Sequence, residues 1–385
     1  MKTTLHKLAV CASSIVCLMF IPGCWDYQKI NDRAPVIGIG VDPVPNQPKM
    51  MSYTFQIQVF DKSTSEGNSD QGEGSSGGAS SSAEHQNFTV RARGVQDGLR
   101  YAQLQYPKTF YLSNIQSVVM SEKLTGGQIQ SVITELERSP TVDKLAFVCF
   151  TPESAKDVMD TPGRVAPADA IDRVLGSSLK QHAFTTRTRV WQFWRDWKEF
   201  GVEPQAPIVI TEDSHVQMRG MLALRDLTPT EQLSPAETLY FNLVASSVNQ
   251  IAVWIDDRGS SFEVGHIQSN RRISASMLHG VPVLHAIVRV NGVIVQDETR
   301  NEKILTNPEI ERYRKVMEEE MQRKATEAVQ RLQQQRDDAY GFGRYILVHD
   351  PSTRRVVSTR WPEMFARARV DIKVKVTRLQ KGTLM

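Results

Sequence analysis

An α+β fold, with mixed and antiparallel sheets covered by helices, is predicted by three features of the 385-residue sequence. Strand-like segments such as MSYTFQIQVF alternate with helical ones such as GGQIQSVITELERS through the first half of the chain. One long amphipathic segment, beginning NPEIERYRKVMEEE, lies between alternating strands near the end. After removal of a leader, roughly 360 residues are left, enough for two or three domains. Three are expected: a mixed domain over residues 24–205, a small middle domain over 206–258, and an antiparallel sheet with one long helix over 259–385.

The chain opens MKTTLHKLAVCASSIVCLMFIPGCWD. Lys2 and Lys7 precede an apolar stretch from Leu8 to Ile21 that only Ser13 and Ser14 interrupt. A basic head, a short apolar middle and a small residue before the cut form the pattern of an export signal. The stretch is shorter than the ~20 apolar residues of a spanning helix, which disfavours a retained transmembrane anchor. Ile21-Pro22-Gly23-Cys24 fits a bacterial lipobox, Pro22 being an uncommon choice in it. The Cys24 thiol is required because it becomes the thioether to diacylglycerol, and Gly23 because only a small side chain is accepted before the cut. Residues 1–23 are therefore expected to be a lipoprotein signal peptide and Cys24 the lipid attachment site. Two acyl chains anchor stably where one does not, since each buried methylene contributes ~0.8 kcal/mol. Trp25 and Asp26 are then membrane-proximal. The Trp25 ring suits the headgroup layer, or else it is the first residue of the buried core.

Loss of Lys2 and Lys7 brings the formal charge of +3 closer to zero, so neither nucleic acid nor another strongly charged partner is indicated. Cys11 and Cys17 leave with the signal and Cys24 is lipidated. Cys149, inside LAFVCF, is left without a disulfide partner and reads as a small core residue.

APVIGIGVD reads as an apolar strand. Its Gly38 and Gly40 lack the third glycine and the following helix of a dinucleotide loop, and so mark close backbone packing. Tyr53, Phe55, Ile57 and Val59 alternate as in a strand. Residues 62–87 hold no large apolar side chain to offset ordering entropy and are expected to form a mobile Gly/Ser loop. NFTVRARG resumes as a strand. VQDGLRYAQLQY and GGQIQSVITELERS have helical spacing, NIQSVVMSE and KLAFVCF are strands, and Pro152-Glu153 turns into a further helical segment.

ADAIDRVLGSSLKQHAF and RVWQFWRDWKEFG are two more helices, and PQAPIVI leads out of the first domain as a proline-rich link. HVQMRGMLALRD is a strand and turn. Ser234-Pro235-Ala236-Glu237 starts a helix with Ser at the N-cap, Pro at N1 and Glu at N3. Alternation from Ile251 to Ser276 predicts strands. VPVLHAIVRVNGVIVQDE is expected to be a hairpin turning at Asn291-Gly292. Asn307 and Pro308 begin a helix over about residues 307–339. Ile310, Tyr313, Met317, Met321, Ala325, Ala328 and Leu332 form its apolar stripe, and Gly341 and Gly343 stop it. ARARVDIKVKVTRL is the final strand.

No catalytic constellation emerges. Ser177-x-x-Lys180 matches a nucleophile motif whose SDN and KTG partners are missing. HExxH, GxSxG, Walker and CxxC patterns are absent and the eight histidines are scattered, so no catalytic residue, cofactor or metal ligand is assigned. His285, among apolar strand residues, reads as structural. VWQFWRDWKEF stands out: Trp191, Trp194 and Trp197 recur every third residue and, with Phe193 and Phe200, cover one broad helix face. That face is either a domain core or seam, because large apolar patches are rare on monomers, or a docking face for a membrane partner.

GCWDYQKINDRAPVIGIGVD resembles the mature start of Ger(x)C lipoproteins, the C subunits of nutrient germinant receptors in endospore-forming bacteria. The likeness rests on Gly23, Cys24, Trp25 and Asp26, then on an apolar strand ending at Gly40 and Asp42. YPKTFYLSNIQSVVMSEKL, GMLALRDLTPTEQLSPAETLYFNLV, DDAYGFG and RWPEMF extend it along nearly the whole chain. The resemblance implies a three-domain body of mixed sheets and helices, anchored through lipid on Cys24 to the outer face of the spore inner membrane. It implies integral membrane A- and B-type receptor subunits as partners, a part in nutrient-triggered germination, and no catalytic residues. An extracytoplasmic solute-binding lipoprotein of a transporter is the alternative, which predicts two similar lobes around a polar cleft. A cell-envelope enzyme comes third and would need perturbed acids or bases clustered in a pocket.

Overall fold

The computed structural model describes residues 32–59, 84–177, 183–257, 260–298 and 305–382. The signal peptide, Cys24, Trp25, Asp26, Lys180 and most of the Gly/Ser segment lie outside the described residues. Residues 84–87, the end of that segment, belong to a strand.

The first sheet begins with β1 (Arg33–Pro43), β2 (Met51–Val59) and β3 (Glu84–Ala92), paired antiparallel. On the other side of β1 run β5 (Ser117–Ser121), β6 (Phe147–Thr151) and β7 (Gln205–Glu212), all parallel; the short β4 (Thr109–Tyr111) pairs with the start of β1. An antiparallel pair, β8 (His215–Arg225) and β9 (Thr228–Leu233), completes the sheet. The parallel centre exists because α1 (Val95–Gln103), α2 (Gly126–Arg138), α3 (Ala155–Met159), α4 (Pro167–Gly176) and α5 (Val190–Lys198) supply the crossovers. Thr125 and Gln128 start α2 with a reciprocal capping box.

The glycines of β1 pack as expected. A Cβ at Gly38 would stand 2.5 Å from Ala168 Cβ, and one at Gly40 would stand 3.1 Å from the Ala155 carbonyl. Two polar positions of β2 are buried as well. Thr54 and Gln56 are fully buried under α3 and α4. The Gln56 amide donates to Asn87 (3.0 Å) and to the Met159 carbonyl (2.9 Å) and accepts from the Ala168 N–H (3.0 Å). PQAPIVI is likewise a buried strand and no link. Pro207 is tolerated because it sits at a register shift, where the ladder needs no donor.

The second sheet contains β10 (Asn249–Asp257), β11 (Ser260–Leu278), β12 (Val281–Asp297) and β13 (Arg369–Lys381). It is antiparallel across β10, β11 and β12. The last strand joins parallel to β12, because α7 (Asn307–Gln334), α8 (Phe342–His349) and α9 (Arg354–Ala366) carry the chain back before it re-enters. The expected turn at Asn291-Gly292 does not occur: β12 runs straight through it. Gly292 is present for space, since a Cβ there would stand 2.5 Å from Val264 Cγ1. The turn lies at His279 and Gly280, both with positive φ.

The stripe on α7 is buried at Tyr313, Met317, Met321, Ala325, Ala328 and Leu332, against the inner face of the sheet. The helix ends at Gln334 rather than 339, with Arg336 left-handed beyond it. The outward amides of edge strand β13 are capped by this helix: Val374 N–H donates to Gln322 (3.3 Å) and Val376 N–H to Glu318 (2.8 Å). A covered edge resists strand addition.

The two cores share a wall. Along β8, Leu222 and Leu224 point into the first core, while Met221 and Ala223 point into the second. The second core also holds Leu239, Phe241 and Leu243 of α6 (Pro235–Ala245), which begins with the expected capping box at Ser234 and Glu237.

Candidate functional site

The stretch Asp337-Asp338-Ala339-Tyr340-Gly341-Phe342-Gly343 joins α7 to α8 and forms the seam between the two bodies. Its local fold follows from three features. Arg336 takes a left-handed conformation, the Asp337 N–H reaches back to the Leu332 carbonyl (3.0 Å), and Gly341 opens α8 with φ of 73°. This bend turns both acids inward. The Asp338 carboxylate accepts from the Gly343 N–H (2.9 Å) and the Trp361 indole (2.8 Å), so it ties three consecutive elements together. Asp337 accepts from the Thr230 hydroxyl (2.5 Å) on β9.

Backbone contacts cross the same seam. Glu203 N–H donates to the Asp338 carbonyl (3.1 Å) and Arg344 N–H to the Gly201 carbonyl (2.9 Å), while the Arg225 guanidinium donates to the Gln335 carbonyl (2.8 Å). Gly201 and Gly343 touch directly: a Cβ on Gly343 would stand 2.5 Å from Gly201 Cα. At the rim, Arg344 pairs with Glu199 (3.0 Å) and Asp196 (3.3 Å) near the end of α5. Arg331 of α7 pairs with Glu231 and Glu237.

Burial sets the electrostatics. It pushes the Asp337 carboxyl up to about 8, with the Thr230 hydrogen bond opposing. It raises Asp338 to about 6 against hydrogen bonds from Gly343 and Trp361, and Glu203 to about 7 against the Asp226 N–H. Acids with such pKa values could serve acid–base chemistry, but Asp337 and Asp338 are 0 % and 1 % exposed and beyond the reach of a substrate. A cleft of about 410 Å³ opens beside them, lined in part by Thr186, Gln205, Asn242, Tyr340 and Arg344. The bodies that flank it differ in topology. What this arrangement does is hold two bodies in one orientation.

The aromatic helix α5 lies beside this seam. Its inward residues are Val190 and Phe193. Trp194 and Trp197 are partly buried against the first core and meet edge to face at 5.2 Å, with the Lys198 ammonium 3.4 Å from the Trp197 ring centre. Trp191 stands apart, 36 % exposed, under the Arg195 guanidinium. Phe193→Ala is therefore expected to cost about 3–5 kcal/mol in urea unfolding, and Trp191→Ala less than about 1 kcal/mol. Similar losses at both positions would refute this division of the helix.

The acid pair was not singled out from sequence as a site. One signal was available: adjacent acids at a helix C-terminus oppose the helix dipole and call for another partner.

Residues 26–211 match the family model described as the spore germination protein N-terminal domain, and residues 219–382 match that described as spore germination B3/GerAC-like, C-terminal. The gap between the two matches falls at the β7–β8 hairpin, inside the first sheet. The chain is 22% identical to spore germination protein A3 of Bacillus subtilis (strain 168), over 96% of each chain. It is 20% identical to spore germination protein KC of the same organism, over 96% of this chain and 95% of that one. The crystal structure of the GerBC protein shares the fold, with a TM-score of 0.52 at 15% identity, covering 90% of this chain and 97% of that one. The chain, matched in both halves, belongs to the Ger(x)C family of spore germination proteins.

Proposed function

We propose that this protein is the lipid-anchored C subunit of a nutrient germinant receptor, held by diacylglycerol on Cys24 at the outer face of the spore inner membrane. It assembles there with integral membrane A- and B-type subunits and is needed for nutrient-triggered germination. The observation that carries this reading is the pairing of a lipobox at residues 21–24 with a family match that begins two residues later and continues to residue 382. Among the described residues no helix is long and apolar enough to cross a membrane. The chain from Cys24 to Asp32 reaches at most about 30 Å, which keeps β1 near the headgroups. Tethering confines the body to two dimensions and raises its effective concentration near the membrane subunits. The seam, with Asp337 and Asp338 sealed from solvent, suits a subunit that works by contact rather than turnover. The exposed Trp191 of α5, with the partly buried Trp194 and Trp197 beside it, is the face proposed to meet a membrane subunit.

Cys24→Ala tests the anchor. Spores carrying it are expected to lose the protein from the inner-membrane fraction and to respond poorly to nutrients. A normal nutrient response from spores whose C subunit bears no lipid would overturn the proposal.

A further inference from the structure

The second sheet has one face under α7 and one face that no described element covers. Residues of the open face follow from the register. Arg272 of β11 stands opposite Ile287 of β12, which stands opposite Lys373 of β13. On the next rung Asn270 stands opposite Arg289, and Arg289 opposite Lys375. Arg272, Arg289, Lys373 and Lys375 are all exposed. Strands lie about 4.8 Å apart and rungs on one face about 6.6 Å apart, so the four cations share a patch roughly 10 Å across. Arg289 and Lys375 sit side by side on one rung, a placement that repels unless an anion intervenes.

Little on the protein neutralises this patch. Lys373 lies 3.7 Å from Asp371, which also meets His285 at 3.2 Å. Arg272, Arg289 and Lys375 have no ion pair among the described residues, and the other acids on this face, Glu263 and Asp256, lie at its far end, Asp256 opposite Ser261 and accepting from its hydroxyl (2.9 Å). At that end Trp254 is 43 % exposed and Val295 57 % exposed. Four cations, three of them without an ion pair among the described residues, with an aromatic and an aliphatic side chain at one end of the face have the composition that binds an interface of anionic headgroups.

We propose that the open face of the second sheet, through Arg272, Arg289, Lys373 and Lys375, lies against a bilayer surface bearing anionic lipid. This extends the anchoring reading, because a lipid tether alone leaves the body free to rotate, while a second contact sets its orientation. Binding by this face does not depend on Cys24, so the two ideas fail separately.

The test uses residues 24–385 carrying Cys24→Ala, which contain every described element of the fold. This chain is sedimented with vesicles of phosphatidylcholine alone or of phosphatidylcholine with phosphatidylglycerol. It is expected to sediment only with the anionic vesicles and to be released by salt. Arg289→Glu with Lys375→Glu is expected to weaken that binding at least about tenfold. A matched reversal, Arg354→Glu with Arg355→Glu on α9, is expected to leave it nearly unchanged. Equal effects of the two reversals, or equal sedimentation with both vesicle types, would overturn the proposal. So would failure to bind either vesicle while the Arg289/Lys375 reversal still disrupts assembly with membrane subunits, which would make the partner an acidic protein surface. Far-ultraviolet circular dichroism melts of both variants confirm that the fold is intact.

Discussion

Gly343→Ala is expected to destabilise the protein by about 3 kcal/mol, at the upper end of what one extra methyl costs in a packed interior. The added Cβ would stand 2.5 Å from Gly201 Cα and 2.6 Å from the Trp361 ring. Neither neighbour can step aside easily. Gly201 is backbone, already at φ of 78° and bonded through its carbonyl to the Arg344 N–H. The Trp361 indole is held by the Asp338 carboxylate at 2.8 Å. Relief therefore requires the two bodies to part at the seam, so protection from hydrogen exchange should fall first in Gly201–Glu203 and Asp338–Arg344. Gly127→Ala is the matched control. Nothing lies within 4 Å of its Cβ position in the first turn of α2, so the same change there should stabilise by about 0.4–1 kcal/mol. Equal effects at the two glycines would show that the seam is looser than its distances suggest.

The second large effect is a dependence of stability on pH. Asp337, Asp338 and Glu203 all have carboxyl groups raised by burial, to about 8, 6 and 7. Arg225 lies near and partly offsets the charge on Asp337 and Glu203. A carboxyl with a raised folded-state pKa binds its proton more tightly folded than unfolded. Its contribution to stability is greatest at low pH, declines as pH rises from about 4, where the unfolded chain titrates, and levels off above about 8. The melting midpoint is therefore expected to fall between pH 5 and pH 8.5, opposite in sign to the usual effect of salt-bridged carboxylates. Asp337→Asn, which cannot ionise and keeps an acceptor for the Thr230 hydroxyl, should flatten the profile. An unchanged slope in that variant would mean that other groups set the pH dependence.

Much of the architecture was legible because one-dimensional periodicity reports burial. The α7 stripe, the capping box at Ser234, and the close-packed Gly38 and Gly40 all follow from spacing and local chemistry. The misreadings share a cause. PQAPIVI resembled a link because proline usually breaks strands, and only the register shift beside Pro207 makes room for it. Asn291-Gly292 has the composition of a primed turn, yet its glycine answers to Val264 on a neighbouring strand. The burial of Thr54 and Gln56 likewise depends on partners, Asn87, Thr89, Met159 and Ala168, that come from distant parts of the chain.

By itself the sequence determined the mixed α+β class, the long helix, and the resemblance that both family matches bear out. It also supplied the lipobox on which the anchoring proposal stands, since such a signal is read by an enzyme as a linear string. The tertiary structure alone decided that β8 serves two cores, that Asp337 and Asp338 lock a seam, and that four cations from three strands share an open face. Those features depend on residues far apart in the chain meeting across a sheet or a bend, and strand order and register, which set such meetings, leave no periodic mark on the sequence.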